Sequence, residues 1–484
     1  MTRGARKSRQ RIYCEDERRS RITYKNDLAG PMKRVVLNTQ PDQGLTMLSA
    51  SRLPLHRLIL SLSDALDQVH PKVADHQQRV AYIATQIARH MGYRDRELLT
   101  VFHAAVLHDI GLITSENRIA ALSLLELERV SWHAEVGYEL LRRNPVFEQA
   151  AEVIRYHHLA WQYGLGVEFD GREVPLASHM LMLADSVEIG IDRSLPILPQ
   201  APSIIARVRE QEGSEFHPDC VDAFVEVAQN EAFWLDATSH RIHAVLLKQI
   251  DWPVVTIDEE TLEPIAELFG RLVDAASPWT AVHSAGVAAA SAALATQMHF
   301  SPRELHLMRS AGYLHDIGKL SIPTKILDKP GRLTSPELLA VRSHPYVTYQ
   351  ILDTIGGLPQ VAEWASFHHE RLDGTGYPFR LSDQQLTLGS RIMAVADVFT
   401  AMLEDRPHRK GMKMDDALSA IRRMADDGGL DAQVVEVLEH SAEGIDSIRQ
   451  IEQAEYGAKQ VTLANIIHQE PARFPKPALL AMDA

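Results

Sequence analysis

His108-Asp109-Ile110-Gly111 returns later in the chain as His315-Asp316-Ile317-Gly318, and this recurrence decides the fold. Pro71 and His76 precede the first quartet by the same spacing as Pro278 and His283 precede the second. Further on, His133, His157-His158 and Leu183-Ala184-Asp185 are answered in order by His344, His368-His369 and Val395-Ala396-Asp397. The separation between partners drifts by a few residues, as it should where loops change length. Ordered self-similarity of this kind marks a duplicated structural unit.

Between the matched positions the pattern is helical. Leu58, Ile59, Leu62, Ala65, Leu66 and Val69 recur at steps of three and four. Thr256-x-x-Glu259 reads as a capping box ahead of Leu262, Ile265, Phe269, Leu272 and Val273, which share one helix face. Strand-like alternation is scarce, so the predicted class is all-α, with two tandem helical domains at residues 48–248 and 256–445. They join near Trp252-Pro253, which breaks the helical pattern. Residues 1–47 form a basic segment without periodicity, read as disordered, in which Met32 offers a second translation start. Residues 446–484 read as a C-terminal tail with a short helix and a proline-broken end.

Composition narrows the function. A formal charge of −14 excludes the broad basic surface that polymeric nucleic acid requires. It leaves room for a small anion held by metal ions and a few cations. Two cysteines, Cys14 and Cys220, form neither a disulfide framework nor a zinc pattern, which fits a reducing cytoplasm. No apolar block follows the basic N-terminus, so no signal peptide is read. The uncharged stretch from Ala275 to Pro302 is rich in Ala and Ser and carries His283, Gln297 and His299, so it reads as a buried helix and not as a membrane span.

The repeated residues are themselves the chemistry. His283, His315, Asp316, His344, His368, His369 and Asp397 are more ligands than one ion needs, and they suit two ions with Asp316 between them. Mixed imidazole and carboxylate donors favour Fe or Mn, with Zn or Ni also compatible. Such a pair polarises a phosphoryl oxygen and lowers the pKa of a shared water. The first copy keeps the whole set as His76, His108, Asp109, His133, His157, His158 and Asp185, a second candidate metal site.

His315-Asp316-Ile317-Gly318-Lys319, Ile322-Pro323, Lys329-Pro330-Gly331, Leu333-Thr334 and His368-His369-Glu370-Arg371-Leu372-Asp373-Gly374-Thr375-Gly376-Tyr377-Pro378 together resemble the HD-GYP signature of the HD superfamily. The resemblance covers about residues 256–440. It implies two tandem HD-type domains, the first diverged and the second catalytic. It further implies metal-dependent hydrolysis of a cyclic dinucleotide, above all cyclic di-GMP, to pGpG or GMP. Tandem arrangements of this kind also resemble hydrolases of 3′,3′-cyclic GMP-AMP, which stands as the alternative substrate. A non-catalytic nucleotide-sensing adaptor and a general nucleotidase are further readings.

Within this frame Asp316 and Lys319 are the expected catalytic pair. Lys319 falls on the ligand face if the quartet is helical, where its ammonium meets a phosphate oxygen. Asp373, Gly376, Tyr377 and Pro378 form a tight loop for substrate, with Tyr377 either stacking on a base or bracing the loop. The resemblance assigns phosphate binding to Arg406 and Arg409. The chain departs from the family at several places. Trp279 stands where some members carry a third metal ligand, Gly286 where Arg is common, Thr400 where Asp is common and His408 where Tyr is usual. In the first copy Leu112 replaces Lys319, and Leu165-Gly166-Val167 replaces the Gly-Tyr-Pro loop, which points to a regulatory or dimerising role. A homodimer or a signalling protein is a compatible partner, and no membrane is expected.

Overall fold

The computed structural model describes residues 53–67, 74–112, 132–249, 255–275, 281–405 and 410–467. The segment 1–47 with Met32, and Val69, Pro71, Trp252-Pro253, Pro278, Trp279, Arg406, His408, Arg409 and residues 468–484, lie outside the described residues.

The first half contains α1 (Leu55–Asp67), α2 (His76–His90), α3 (Asp95–Leu107), α4 (His133–Leu141), α5 (Glu148–Arg155) and α6 (Leu176–Ile189), followed by four helices between residues 201 and 249. The second half repeats the order as α7 (Glu259–Ala275), α8 (His283–Gln297), α9 (Pro302–Leu314), α10 (His344–Ile355), α11 (Pro359–Ser366) and α12 (Leu388–Leu403). Two short helices, Thr324–Leu327 and Ser335–Val341, lie between α9 and α10, and α13 (Met414–Asp426) and α14 (Ala432–Ile467) follow α12. The described strands are two-residue ribbons: Leu53–Pro54 pairs with Thr256–Ile257, and Glu168–Phe169 with Arg172–Glu173. The tandem all-α reading holds.

Each half packs its first histidine helix at the centre. α2 lies against α3 and α6, and α8 against α9, α12 and α14. The Ala/Ser stretch expected to be a buried helix is α8, where Ala285, Ala288 and Ala290 are fully buried. Small side chains let its neighbours approach closely: a Cβ at Gly312 of α9 would meet the Ala288 Cα at 2.5 Å. No described helix is long and apolar enough to cross a membrane.

The halves exchange helices. α1 packs on α10 and on the turn at Ile317–Ser321, while α14 packs on α4. Two sequence readings need correction here. Thr256 lies in a strand, and the cap ahead of α7 is Asp258, whose Oδ1 accepts from the Thr261 N–H at 2.9 Å. Residues 446–467 are not a tail with a short helix, because the boundary at 445 falls inside α14, a continuous 36-residue helix. Its inner residues Ile445 and Tyr456 are 2% and 1% exposed, so packing carries the helix past a sequence stretch of weak apolar periodicity.

The quartet glycine is explained by a close approach. A Cβ at Gly318 would sit 2.1 Å from the His344 carbonyl oxygen, and at Gly111 2.0 Å from that of His133. Only glycine lets the quartet turn dock on the start of the next histidine helix. Gly318→Ala is expected to lower stability by about 1–3 kcal/mol through overpacking. Gly444→Ala, at an exposed α14 position with nothing within 4 Å, is expected to raise it by about 0.5–1 kcal/mol. Urea denaturation of both variants checks the contrast.

Candidate metal centre

His315 ends α9, a helix opened by the Ser301/Glu304 capping box with Pro302 in its first turn. Its Nδ1 lies 2.8 Å from the Gly312 carbonyl, so Nδ1 carries the proton and Nε2 is left for a ligand role. His344 and His368 are set the same way, with Nδ1 at 2.7 Å from the Val341 and Ala365 carbonyls. His283 differs, because its Nδ1 meets the Glu404 carboxylate at 2.8 Å. Four imidazoles are thereby oriented before any ion binds, as metal-ligating histidines usually are.

The seven expected ligands come together in two groups. His283, His315 and Asp397 form one, and His344, His368 and His369 form the other, with donor atoms within 4.8 Å of one another in each. Asp316 faces both: Oδ2 is 3.1 Å from His315 Nε2, and Oδ1 is 3.2 Å from His344 Nε2. Asp397 Oδ1 lies 3.2 Å from His283 Nε2.

Protonation states suit metal binding. Burial pushes the Asp316 carboxyl up, but His315, Lys319 and His344 outweigh it and hold it well below the usual range. Burial also acts against Asp397, which His283, His369 and His368 keep well below its ordinary value. Burial, with His369 and His315 nearby, pushes His368 far down; His369 falls to about 3, again chiefly through burial. Ionised carboxylates and neutral imidazoles are the forms that bind a divalent cation without first losing protons. The donor set therefore fits two ions.

Lys319 sits in the single turn Ile317–Ser321 and reaches back to Asp316 Oδ2. The Tyr377 ring lies 4.8 Å from His369, and the Arg342 guanidinium stands over the tyrosine at 4.3 Å. Glu370 accepts the Phe379 and Leu381 N–H groups at 2.7 and 2.9 Å and so folds this loop back. Gly376 is needed there, since a Cβ would meet the Arg371 nitrogen at 2.4 Å. Asp373 is exposed, and its carboxylate accepts from Thr375 in its own loop. That geometry gives Asp373 a loop-closing role. Arg342, Glu404 and Glu188 escape the sequence reading, which quotes Glu370 within the motif without a role; Glu404 and Glu188 leave a trace, one or two turns after the repeated aspartates.

The first half builds the same cluster. His133, His157 and His158 converge, as do His76, His108 and Asp109, and Asp185 Oδ1 lies 3.3 Å from His76 Nε2. Asp185 Oδ1 also faces the buried His108 Nε2 at 3.7 Å, so carboxylate and imidazole donors converge here as they do in the second half. Burial pushes His157 and His158 down, the latter to about 3, whereas Glu188 and Asp185 raise His76 against burial. Leu112, in the lysine's place, is fully buried. A Cβ at Gly166 would meet the Ala160 carbonyl at 2.4 Å, so Gly166 takes the packing role of Gly376 one residue later than the aligned frame. Tyr163, Leu165 and Val167 of this loop are exposed.

This scaffold of duplicated His-Asp turns defines an HD-superfamily phosphohydrolase. The HD domain family matches residues 73–190 and, in a second variant, residues 267–434. A 3′3′-cGAMP-specific phosphodiesterase of Vibrio cholerae is 31% identical over 408 residues, covering 82% of this chain and 94% of that protein. A cyclic di-GMP phosphodiesterase of Pseudomonas aeruginosa is 44% identical over 158 residues, 32% of this chain and 37% of that protein. A crystal structure of a cyclic GMP-AMP specific phosphodiesterase from V. cholerae shares the fold, with a TM-score of 0.57 and 24% identity over 81% of this chain and 98% of that one. The chain belongs to the HD-GYP-type cyclic dinucleotide phosphodiesterases of the HD superfamily, and it is a hydrolase.

Asp316→Ala removes the carboxylate that faces both groups of donors in the second half. It is expected to cost about two metal equivalents per chain relative to wild type, measured by elemental analysis of the purified protein. His133→Ala, in the first half, is expected to leave those two equivalents in place.

Proposed function

We propose that the second half hydrolyses 3′,3′-cyclic GMP-AMP, opening the ring to a linear dinucleotide. The observation that carries the chemistry is the convergence of His283, His315, Asp316, His344, His368, His369 and Asp397 beside Lys319. The substrate rests on the relative that matches nearly the whole tandem chain, which is specific for that messenger. Hydrolysis of cyclic di-GMP to pGpG or GMP, the reading that the motif resemblance puts first, is supported by the higher local identity of the P. aeruginosa relative, over a shorter segment.

Two divalent ions, Fe or Mn first for this mixed donor set and Zn or Ni also compatible, would polarise a phosphoryl oxygen and lower the pKa of water when bound. His283, His315 and Asp397 would hold one, His344, His368 and His369 the other, and Asp316 both. Lys319 is partly buried, with 19% of its side chain exposed, so its ammonium acts on developing phosphoryl charge in a partly water-excluded place. Tyr377, braced between His369 and Arg342, offers a flat wall on which a base stacks. Gly376 and Pro378 shape that wall and Asp373 closes its loop. Arg406 and Arg409 are assigned to substrate phosphate, on the family resemblance. The first half, with Leu112 for the lysine, takes a regulatory role.

Steady-state hydrolysis of both nucleotides tests the substrate. The kcat/KM for 3′,3′-cyclic GMP-AMP is expected to exceed that for cyclic di-GMP by at least about tenfold, a difference of roughly 1.4 kcal/mol. A reversed ratio assigns the enzyme to cyclic di-GMP. Lys319→Ala is expected to lower kcat about 100- to 1,000-fold, in line with the loss of one preorganised stabilising group.

A further inference from the structure

The two halves differ in how they hold the first histidine. In the first half, His76 Nδ1 lies 2.7 Å from the carboxylate of Glu188, one turn after Asp185 on α6. The matching place on α12, one turn after Asp397, is Thr400, whose buried hydroxyl has no hydrogen-bond partner among the described residues. The carboxylate has moved one more turn along, to Glu404, whose Oε2 reaches His283 Nδ1 at 2.8 Å.

We propose that Glu404 and Gln453 are positioning residues that together orient His283 for its ion, and that the C-terminal part of α14 is thereby part of the metal centre. The proposal rests on the paired-ion reading above. Gln453 donates to Glu404 Oε1 at 2.6 Å and to the Val282 carbonyl, just before His283, at 3.1 Å. Its own oxygen accepts from Arg449 Nη1 at 2.6 Å, and Arg449 is held by Asp446 at 2.7 and 2.8 Å. Asp446, Arg449 and Gln453 follow at helical steps of three and four, so one face of α14 forms a continuous polar brace behind His283.

Two departures from the family pattern belong to the same device. A Cβ at Gly286 would sit 2.4 Å from Gln453 Nε2 and 2.8 Å from Thr400 Cγ2. The large side chain common at 286 would thus expel Gln453, and the bare glycine admits it. Helix capping does not account for Glu404. It is the C-terminal cap of α12, where the helix dipole disfavours a carboxylate. His283 and Gln453 both donate N–H groups to this carboxylate. A carboxylate behind a ligating histidine fixes its tautomer and raises its basicity, and losing such a partner typically costs about 10- to 100-fold in metal affinity.

The test is metal content and chelator-resisted retention of the full-length protein, with circular dichroism as a check on folding. Glu404→Ala is expected to lose one equivalent relative to wild type, its affinity for that ion falling about 10- to 100-fold, while the ion at His344, His368 and His369 stays. Gln453→Ala is expected to weaken the same ion by a smaller factor. The double change Thr400→Glu with Glu404→Ala puts the carboxylate where the first half has it and is expected to restore retention, so the test stands even if Glu404→Ala alone folds poorly. Unchanged affinity in Glu404→Ala, or parallel loss of both ions, overturns the proposal and leaves the paired-ion reading intact. Wild-type protein without any transition metal removes that reading and the proposal with it.

Discussion

The contact on which the rest depends is the approach of Gly318 to the carbonyl of His344. It presses the His-Asp turn against the start of α10. The residues on either side of that contact are the ones proposed to hold the ions. Asp316 is thereby delivered with one oxygen toward His315 and the other toward His344. The backbone carbonyls of Gly312, Val341 and Ala365 then set the imidazole tautomers. Packing and chemistry are the same event here: without the docked turn, the carboxylate has no place between the two groups of imidazoles.

The duplication shows which features belong to the scaffold and which to the reaction. Gly111 repeats the contact of Gly318, and all seven donor positions recur in the first half. What has changed lies at the rim. A lysine has become a buried leucine, and the loop that sets Tyr377 beside His369 has become one with exposed Tyr163, Leu165 and Val167. The halves are also tied by exchange, since α1 rests on the helix that begins at His344 and α14 on the helix that begins at His133. Any rearrangement of the first cluster therefore acts on elements packed directly against the second.

The ordered histidines and aspartates make the class, the duplication and the convergent donor set legible in the sequence, because a metal centre, as proposed here, fixes residue type as well as order. Gly286 and Thr400 are legible there only as departures, since their reason lies with Gln453, which is remote in sequence and close in space. The course of α14 is hidden for a related reason. Its buried face is patterned for contacts with α8 and α4, and its polar inner residues serve a histidine instead of a core. The cap ahead of α7 falls two residues later than the local pattern suggests, because Thr256 has a strand partner in Pro54 that local sequence does not announce.

The central claim is that one half of this chain holds two ions between α9 and α10. Anomalous diffraction from crystals of the native protein, collected at the absorption edges of the candidate metals, tests it most directly. The account predicts two peaks about 3.5–4 Å apart, one beside His283, His315 and Asp397, the other beside His344, His368 and His369, with Asp316 between them. A single peak, or none, at those seven side chains would contradict it.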